Sequence, residues 1–292
     1  MKRVVLVSLL FLVSVTLSGQ KLSSAWEELT SEEFVKAVKL SEGVCIIPIG
    51  VIEKHGQHLP LGTDVFTSRE IALRAASKEY SIVFPFYYTG QINEARHQPG
   101  TIAYSPDILF RLLQESCDEI SRNGIKKIVI LNGHGGNNSF LQYFCQSQLA
   151  SKKDYALYIY SPEVDPETQK KISALRKSSV GGHADEVETS VMMYIRPELV
   201  KIDRVGTETG ADMKRLNLKN TYTGIWWYGK YPNHYAGDAP GASAEIGEIS
   251  VIQKIDQLSE MLKAIKSDEA TIELQNRFYD ESAAPLKTKP KK

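Results

Sequence analysis

Glu53 and His55 stand two residues apart in the run Gly50-Val51-Ile52-Glu53-Lys54-His55, and in extended chain such residues point the same way. They can present a carboxylate oxygen and an imidazole nitrogen to one point. Gly56, Pro60 and Gly62 let the chain turn afterwards, so that Asp64 can join them. Carboxylate and imidazole donors without cysteine suit a catalytic divalent ion such as Zn²⁺, Mn²⁺ or Fe²⁺ better than a structural zinc. Asp64 has a second reading as an acidic cap for a helix beginning near Val65.

Two further clusters carry the same residue types. His134 lies in Asn132-Gly133-His134-Gly135-Gly136-Asn137-Asn138, directly after the apolar run Ile128-Val129-Ile130-Leu131. Glycines beside a strand-end histidine admit close backbone approach, which makes Gly135 and Gly136 substrate-binding candidates. The competing phosphate-cradle reading is weak, because the run lacks both the Lys-Ser/Thr pair and the spacing of a dinucleotide fingerprint. The third cluster is His183-Ala184-Asp185-Glu186-Val187-Glu188. His183 and Glu186 are three apart and Glu188 follows two later, so the three cannot share one helical stripe. Asp185 and Glu186 also suit the positive end of a helix dipole.

Positioning these clusters requires strands that end where they begin. Thr30-Ser31-Glu32-Glu33 opens a helix as a capping box, and Val44 to Ile49 reads as a strand. Helices are expected near Val65 to Lys78, Pro106 to Asn123, Ser139 to Ala150 and Glu186 to Ile195. Strands are expected at Ser81 to Phe86, Lys126 to Leu131 and Asp154 to Tyr160. A last amphipathic helix carries Ile252, Ile255, Leu258, Leu262 and Ile265. Strands alternating with such helices imply crossover connections, a mainly parallel sheet and helices on both faces, with ligands at the carboxyl ends of the strands. All six histidines, His55, His58, His97, His134, His183 and His234, fall in polar or glycine-rich loops or at a helix start.

The 292 residues hold 35 basic and 35 acidic side chains, a balance that argues against nucleic acid or an anionic membrane as partner. Met1-Lys2-Arg3 followed by the apolar run Val4 to Leu17 reads as a secretory signal over 1–19, with a buried apolar strand as its alternative. The expected product is periplasmic or secreted, with one domain over 20–282 and a disordered basic tail over 283–292. Export permits disulfides, yet Cys45, Cys117 and Cys145 sit in apolar or amphipathic patterns and read as small core residues.

The motifs together resemble the creatininase (creatinine amidohydrolase) family over nearly the whole mature chain. They are Pro48 to Asp64, His97-Gln98-Pro99-Gly100-Thr101-Ile102, Asn132 to Asn137, His183 to Ser190, Gly237-Asp238 and Ala244-Glu245-Ile246-Gly247. The resemblance implies a three-layer αβα sandwich, assembly as a homo-oligomer and two divalent ions per chain. Carried over by position, Glu53 and His134 would hold one ion, His55 the other, and Asp64 would bridge them. Creatininase proper has a glutamate ligand where this chain has Gly136, and Glu188 is the candidate replacement. The aromatic residue just before that glutamate is Gly135 here, which leaves the particular amide open.

The implied reaction is hydrolysis of a non-peptide C–N bond in a small, possibly cyclic, amide or formamide by a hydroxide held between the ions. His183 would pass a proton to the departing nitrogen, with Glu186 orienting or assisting it. His97 is a substrate contact, and His58 is expected to orient a ligand rather than bind metal. His234 and Asp238 are candidates for a neighbouring pocket. Tyr222 to Tyr228 would cover substrate, pack in the core or form a subunit interface. The alternatives are a degenerate member with a structural metal, and a small-ligand binding protein without turnover.

Overall fold

In the central strands, side chains alternate between two apolar faces, so both faces must be covered. The computed structural model describes residues 22–290; the leader expected at 1–19, together with Lys291 and Lys292 of the tail, lies outside the described residues. Val44–Ile49 (β1) is buried along its whole length and pairs in parallel with Lys127–Asn132 (β3), Val44 opposite Lys127 and Ile49 opposite Asn132. Ile82–Val83 (β2) and Ala156–Tyr160 (β4) complete a four-stranded parallel sheet in the order β2-β1-β3-β4.

Cys45, Ile47, Ile49, Ile128 and Ile130 face one layer, where they meet Ser31–Leu40 (α1), Pro106–Arg122 (α3) and Asn138–Ser147 (α4) through Ala37, Leu113, Ile120 and Phe144. Val44, Ile46, Val129 and Leu131 face the other. There they meet Thr63–Lys78 (α2), Glu186–Ile195 (α6) and Ala244–Ser267 (α8) through Ile71, Ala75, Val191, Val251, Ile255 and Leu258. Helix, sheet and helix are the three layers expected from the alternating pattern. Pro166–Leu175 (α5), Trp226–Lys230 (α7) and Ala270–Ser282 (α9) are additions to it. A 3₁₀ turn at Pro285–Lys287 follows α9.

Local chemistry accounts for the boundaries. Thr30 accepts from Glu33 N while Glu33 accepts from Thr30 N, a complete capping box for α1. The strand expected over Ser81 to Phe86 shrinks to two residues, because Pro85 has no N–H to continue the ladder beyond Phe84, whose N–H still reaches Ile46 O. On α8 the buried stripe runs through Val251, Ile255, Leu258, Leu262 and Ile265, which leaves Ile252 exposed rather than in the core. The three cysteines are free, Cys45 and Cys117 fully buried. No helix among the described residues is long and apolar enough to cross a membrane.

Candidate metal centre

The site forms where β1 and β3 end against the first turn of α2. Gly50 follows β1, and a Cβ there would lie 2.5 Å from Val65 N and 2.6 Å from Asp64 C. Gly133 follows β3, and a Cβ there would lie 2.9 Å from Ile49 O and 3.1 Å from Asp64 O. Only glycine at both positions lets the two strand ends and the helix start approach this closely. Glu53, His55, Asp64 and His134 are thereby brought together, all buried. The cap reading of Asp64 is corrected: it is the second residue of α2, Gly62 holds the cap position, and the carboxylate faces the histidines.

The hydrogen bonds to carbonyl oxygens fix one nitrogen of each ring as a donor and turn the other toward the carboxylates. A carbonyl oxygen can only accept, so His55 donates Nδ1–H to Glu53 O at 3.2 Å and His134 donates Nε2–H to Gln91 O at 3.0 Å. Their remaining nitrogens meet carboxylates. His55 Nε2 is 3.1 Å from Asp64 Oδ1, and His134 Nδ1 is 2.8 Å from Glu53 Oε1 and 3.1 Å from Asp64 Oδ2. Glu53 Oε1 and Asp64 Oδ2 are nonetheless buried without a hydrogen-bond partner among the described residues. Lone pairs converging from both sides need a proton or a cation between them. Without a metal the protons must supply it: burial opposes charging of His55, yet Asp64 carries its pKa up to about 9. Burial likewise opposes His134, and Glu53 and Asp64 drive it well above the ordinary value.

Two triads fit an ion, Glu53-Asp64-His134 and Glu53-His55-His183, each with ligand atoms within 4.8 Å of one another. Asp64 offers one oxygen toward each half, the disposition of a bridging carboxylate. These oxygen and nitrogen donors suit zinc or manganese. Glu53 Oε2 is held separately by His234 Nε2–H, and Trp227 donates its indole N–H to His234 Nδ1 at 2.9 Å.

The other sequence candidates divide. Glu188 is half-buried with Oε2 accepting from Ala184 N at 2.6 Å; desolvation raises its pKa while His183 and His55 oppose the rise. Together with Asp64 and His134 it lines a cavity of about 240 Å³. His183 belongs to the same cavity; its Nε2–H donates to Lys54 O at 2.8 Å and its ring lies 4.3 Å from that of His55. Gly135 and Gly136 form the floor.

Glu186 is not brought to the cluster, contrary to expectation. Its carboxylate accepts from Lys177 N at 2.8 Å and Ser178 N at 2.7 Å, tying down a loop. Asp185 caps α6, accepting from Val187 N and Glu188 N. His58 contacts Thr189 Oγ1 at 2.8 Å and none of the proposed ligands. His97 is exposed, donates to Pro232 O at 2.8 Å, and lines a neighbouring outer cavity with Tyr228 and Gly136.

Two further residues reach the inner cavity: His234, a pocket candidate in the sequence, and Glu94, which the sequence did not mark. His234 sits at φ +51° in the irregular segment after α7, where no periodicity marks it. Glu94 enters above Gly136, its Oε1 2.9 Å from where a Cβ on that glycine would stand. The space of a side chain at Gly136 is thus taken first by the His134 ring and then by this carboxylate.

The family model described as creatininase, creatinine amidohydrolase, matches residues 27–262. Over 192 residues the chain is 27% identical to a creatinine amidohydrolase of Pseudomonas putida, covering 61% of this chain and 74% of that one. Over 230 residues it is 26% identical to a mycofactocin precursor peptide peptidase of Mycolicibacterium smegmatis, covering 76% and 85%. A solved mutant creatininase of Zn-Zn type superposes with a TM-score of 0.72 at 23% identity, covering 84% of this chain and 99% of that one, which shows a shared fold.

Proposed function

This chain belongs to the creatininase family of hydrolases, and from that premise we propose that it cleaves the C–N bond of a small amide in a centre of two divalent ions. The observation that carries the proposal is the pair of imidazole nitrogens, His55 Nε2 and His134 Nδ1, set against the two oxygens of one buried aspartate. Glu53 and His134 would hold one ion, His55 the other, with Asp64 spanning them and Glu188 adding a carboxylate. Bound ions of this kind supply a Lewis acid for a carbonyl oxygen and lower the pKa of water.

The chain's own residues supply the rest. His234, fixed by Trp227, holds Glu53 Oε2 so that Oε1 keeps its direction. His183 has Nε2–H committed to Lys54 O, which leaves Nδ1 as the basic nitrogen that takes up a proton and returns it to the departing amine. Trp226 and Trp227 wall the cavity and limit water and substrate size. An inner volume of about 240 Å³ suits a small or cyclic amide or formamide. The reading includes export through residues 1–19 and assembly with further copies, which N-terminal sequencing and gel filtration of the purified protein check.

The test is metal content by plasma mass spectrometry, with hydrolysis of a panel of cyclic amides, formamides and short peptides. Two equivalents and amide hydrolysis in the natural chain, both lost in Asp64→Ala, are expected. Metal retained in Asp64→Ala would remove the bridge. Cleavage of peptides alone would replace the small-amide reading with that of the peptidase relative.

A further inference from the structure

A second cavity, of about 270 Å³, opens between the carboxyl ends of β3 and β4 and helices α2, α6 and α8. It shares Asp64, His134, Gly135 and Glu188 with the inner cavity, so the two meet at the metal centre. Lys254 of α8 lines it, half-buried. Among the described residues its Nζ makes no hydrogen bond and no ion pair. The acidic groups that act on it, Glu188 and Asp185, are already bonded to backbone N–H groups of α6 and of Ala184. Desolvation holds this ammonium below its usual pKa, while Glu188 and Asp185 oppose the shift.

Two neutral donors face the same space. Asn138 Oδ1 accepts from Asn132 Nδ2 at 2.8 Å, which leaves Asn138 Nδ2 without a partner. Ser161, just beyond β4, makes no hydrogen bond among the described residues. The half-buried cation, an amide donor and a hydroxyl, the last two on exposed residues, line one open cavity and match a single carboxylate. Asp64 and Glu188 in the shared wall disfavour an ion of higher charge.

We propose that Lys254, Asn138 and Ser161 form a subsite for a carboxylate carried by the substrate, so that the hydrolysed compound is a small amide bearing an acid group. The placing of the C–N bond rests on the proposed function, whereas the anion subsite stands on the second cavity alone.

The probes are malonamate, succinamate and glutaramate, each beside its uncharged diamide, titrated into the zinc-loaded full-length protein. At least one acid should bind about tenfold more tightly than its diamide, the scale of one charge-assisted hydrogen bond. Lys254→Met should bring that ratio near one at unchanged zinc content, and Lys254→Arg should keep it. No preference in the natural chain overturns the proposal. So does a preference that survives Lys254→Met, which would place the carboxylate on the ions, or loss of zinc in that variant, which would make Lys254 a counter-charge for Glu188. Should Lys254→Met fail to fold, Ser161→Ala carries the same test, and unchanged acid binding there overturns the subsite. Acid preference without hydrolysis would leave the subsite standing and remove the amidohydrolase reading instead.

Discussion

Trp227 donates its indole N–H to Nδ1 of His234 at 2.9 Å, and this one bond fixes the proton of His234 on Nε2, where it is given to Glu53. An indole that touches no ligand atom thus determines the direction of a carboxylate that does. Trp227→Phe keeps the ring and removes the donor. Zinc affinity should fall by about 10–100-fold, the usual loss when a group supporting a ligand is removed. Competition with a chromophoric chelator measures it, and an unchanged affinity would show that Glu53 is positioned without His234.

His183 lies between two roles. It shares a triad with Glu53 and His55, yet Nε2 is engaged with Lys54 O. In His183→Ala turnover should drop by about 10²–10⁴-fold with metal content near that of the natural chain. Loss of an equivalent of metal would make His183 a ligand and leave the proton transfer without a carrier.

What the sequence displays depends on whether chain direction alone positions a residue. Glu53, His55 and His134 follow strands whose apolar runs mark their ends, and the alternating faces of β1 and β3 announce three layers. Asp64 is close enough in sequence for its glycine and proline neighbours to signal a turn. His234 and Glu94 arrive from irregular loops whose course is set by tertiary contacts, so no period points to them. Glu186 misled because an acid in a first helical turn looks the same whether it serves the dipole, a loop or a cavity. α5 was signalled by Asp165 and Pro166 in cap and first-turn positions, but its short apolar stripe was too weak to declare itself.

Acid should weaken the fold in part through His58. Burial holds its pKa at about 4, with the Ala184 backbone opposing and His55 reinforcing the shift. In the unfolded chain the ring titrates near 6.5. Above that value both states are neutral and the contribution of His58 is fully present. As pH falls toward 4 the unfolded chain takes up a proton that the native chain refuses, so stability is lost, and below 4 the loss is complete. Urea midpoints at pH 7 and pH 5, with metal stripped from both proteins, should fall further for the natural chain than for His58→Gln. Equal falls would mean that His58 charges in the folded state.

The paired glycines after His134 separate the metal centre from its approach. A Cβ at Gly136 would stand 2.4 Å from His134 Nε2 and 2.9 Å from Glu94 Oε1, whereas a Cβ at Gly135 would meet nothing within 4 Å. His134 Nε2 is the atom bonded to Gln91 O, the bond that turns Nδ1 toward Glu53 and Asp64. Gly136→Ala must therefore displace that ring, and the Glu94 carboxylate with it. Gly135→Ala changes only the open floor over which a substrate would pass. The expected results are weaker zinc binding in Gly136→Ala, and normal zinc content with a raised KM in Gly135→Ala. Chelator competition and steady-state kinetics distinguish them. Normal zinc affinity in Gly136→Ala would show that the backbone at this position shifts instead, and that Gln91 holds the His134 ring in place.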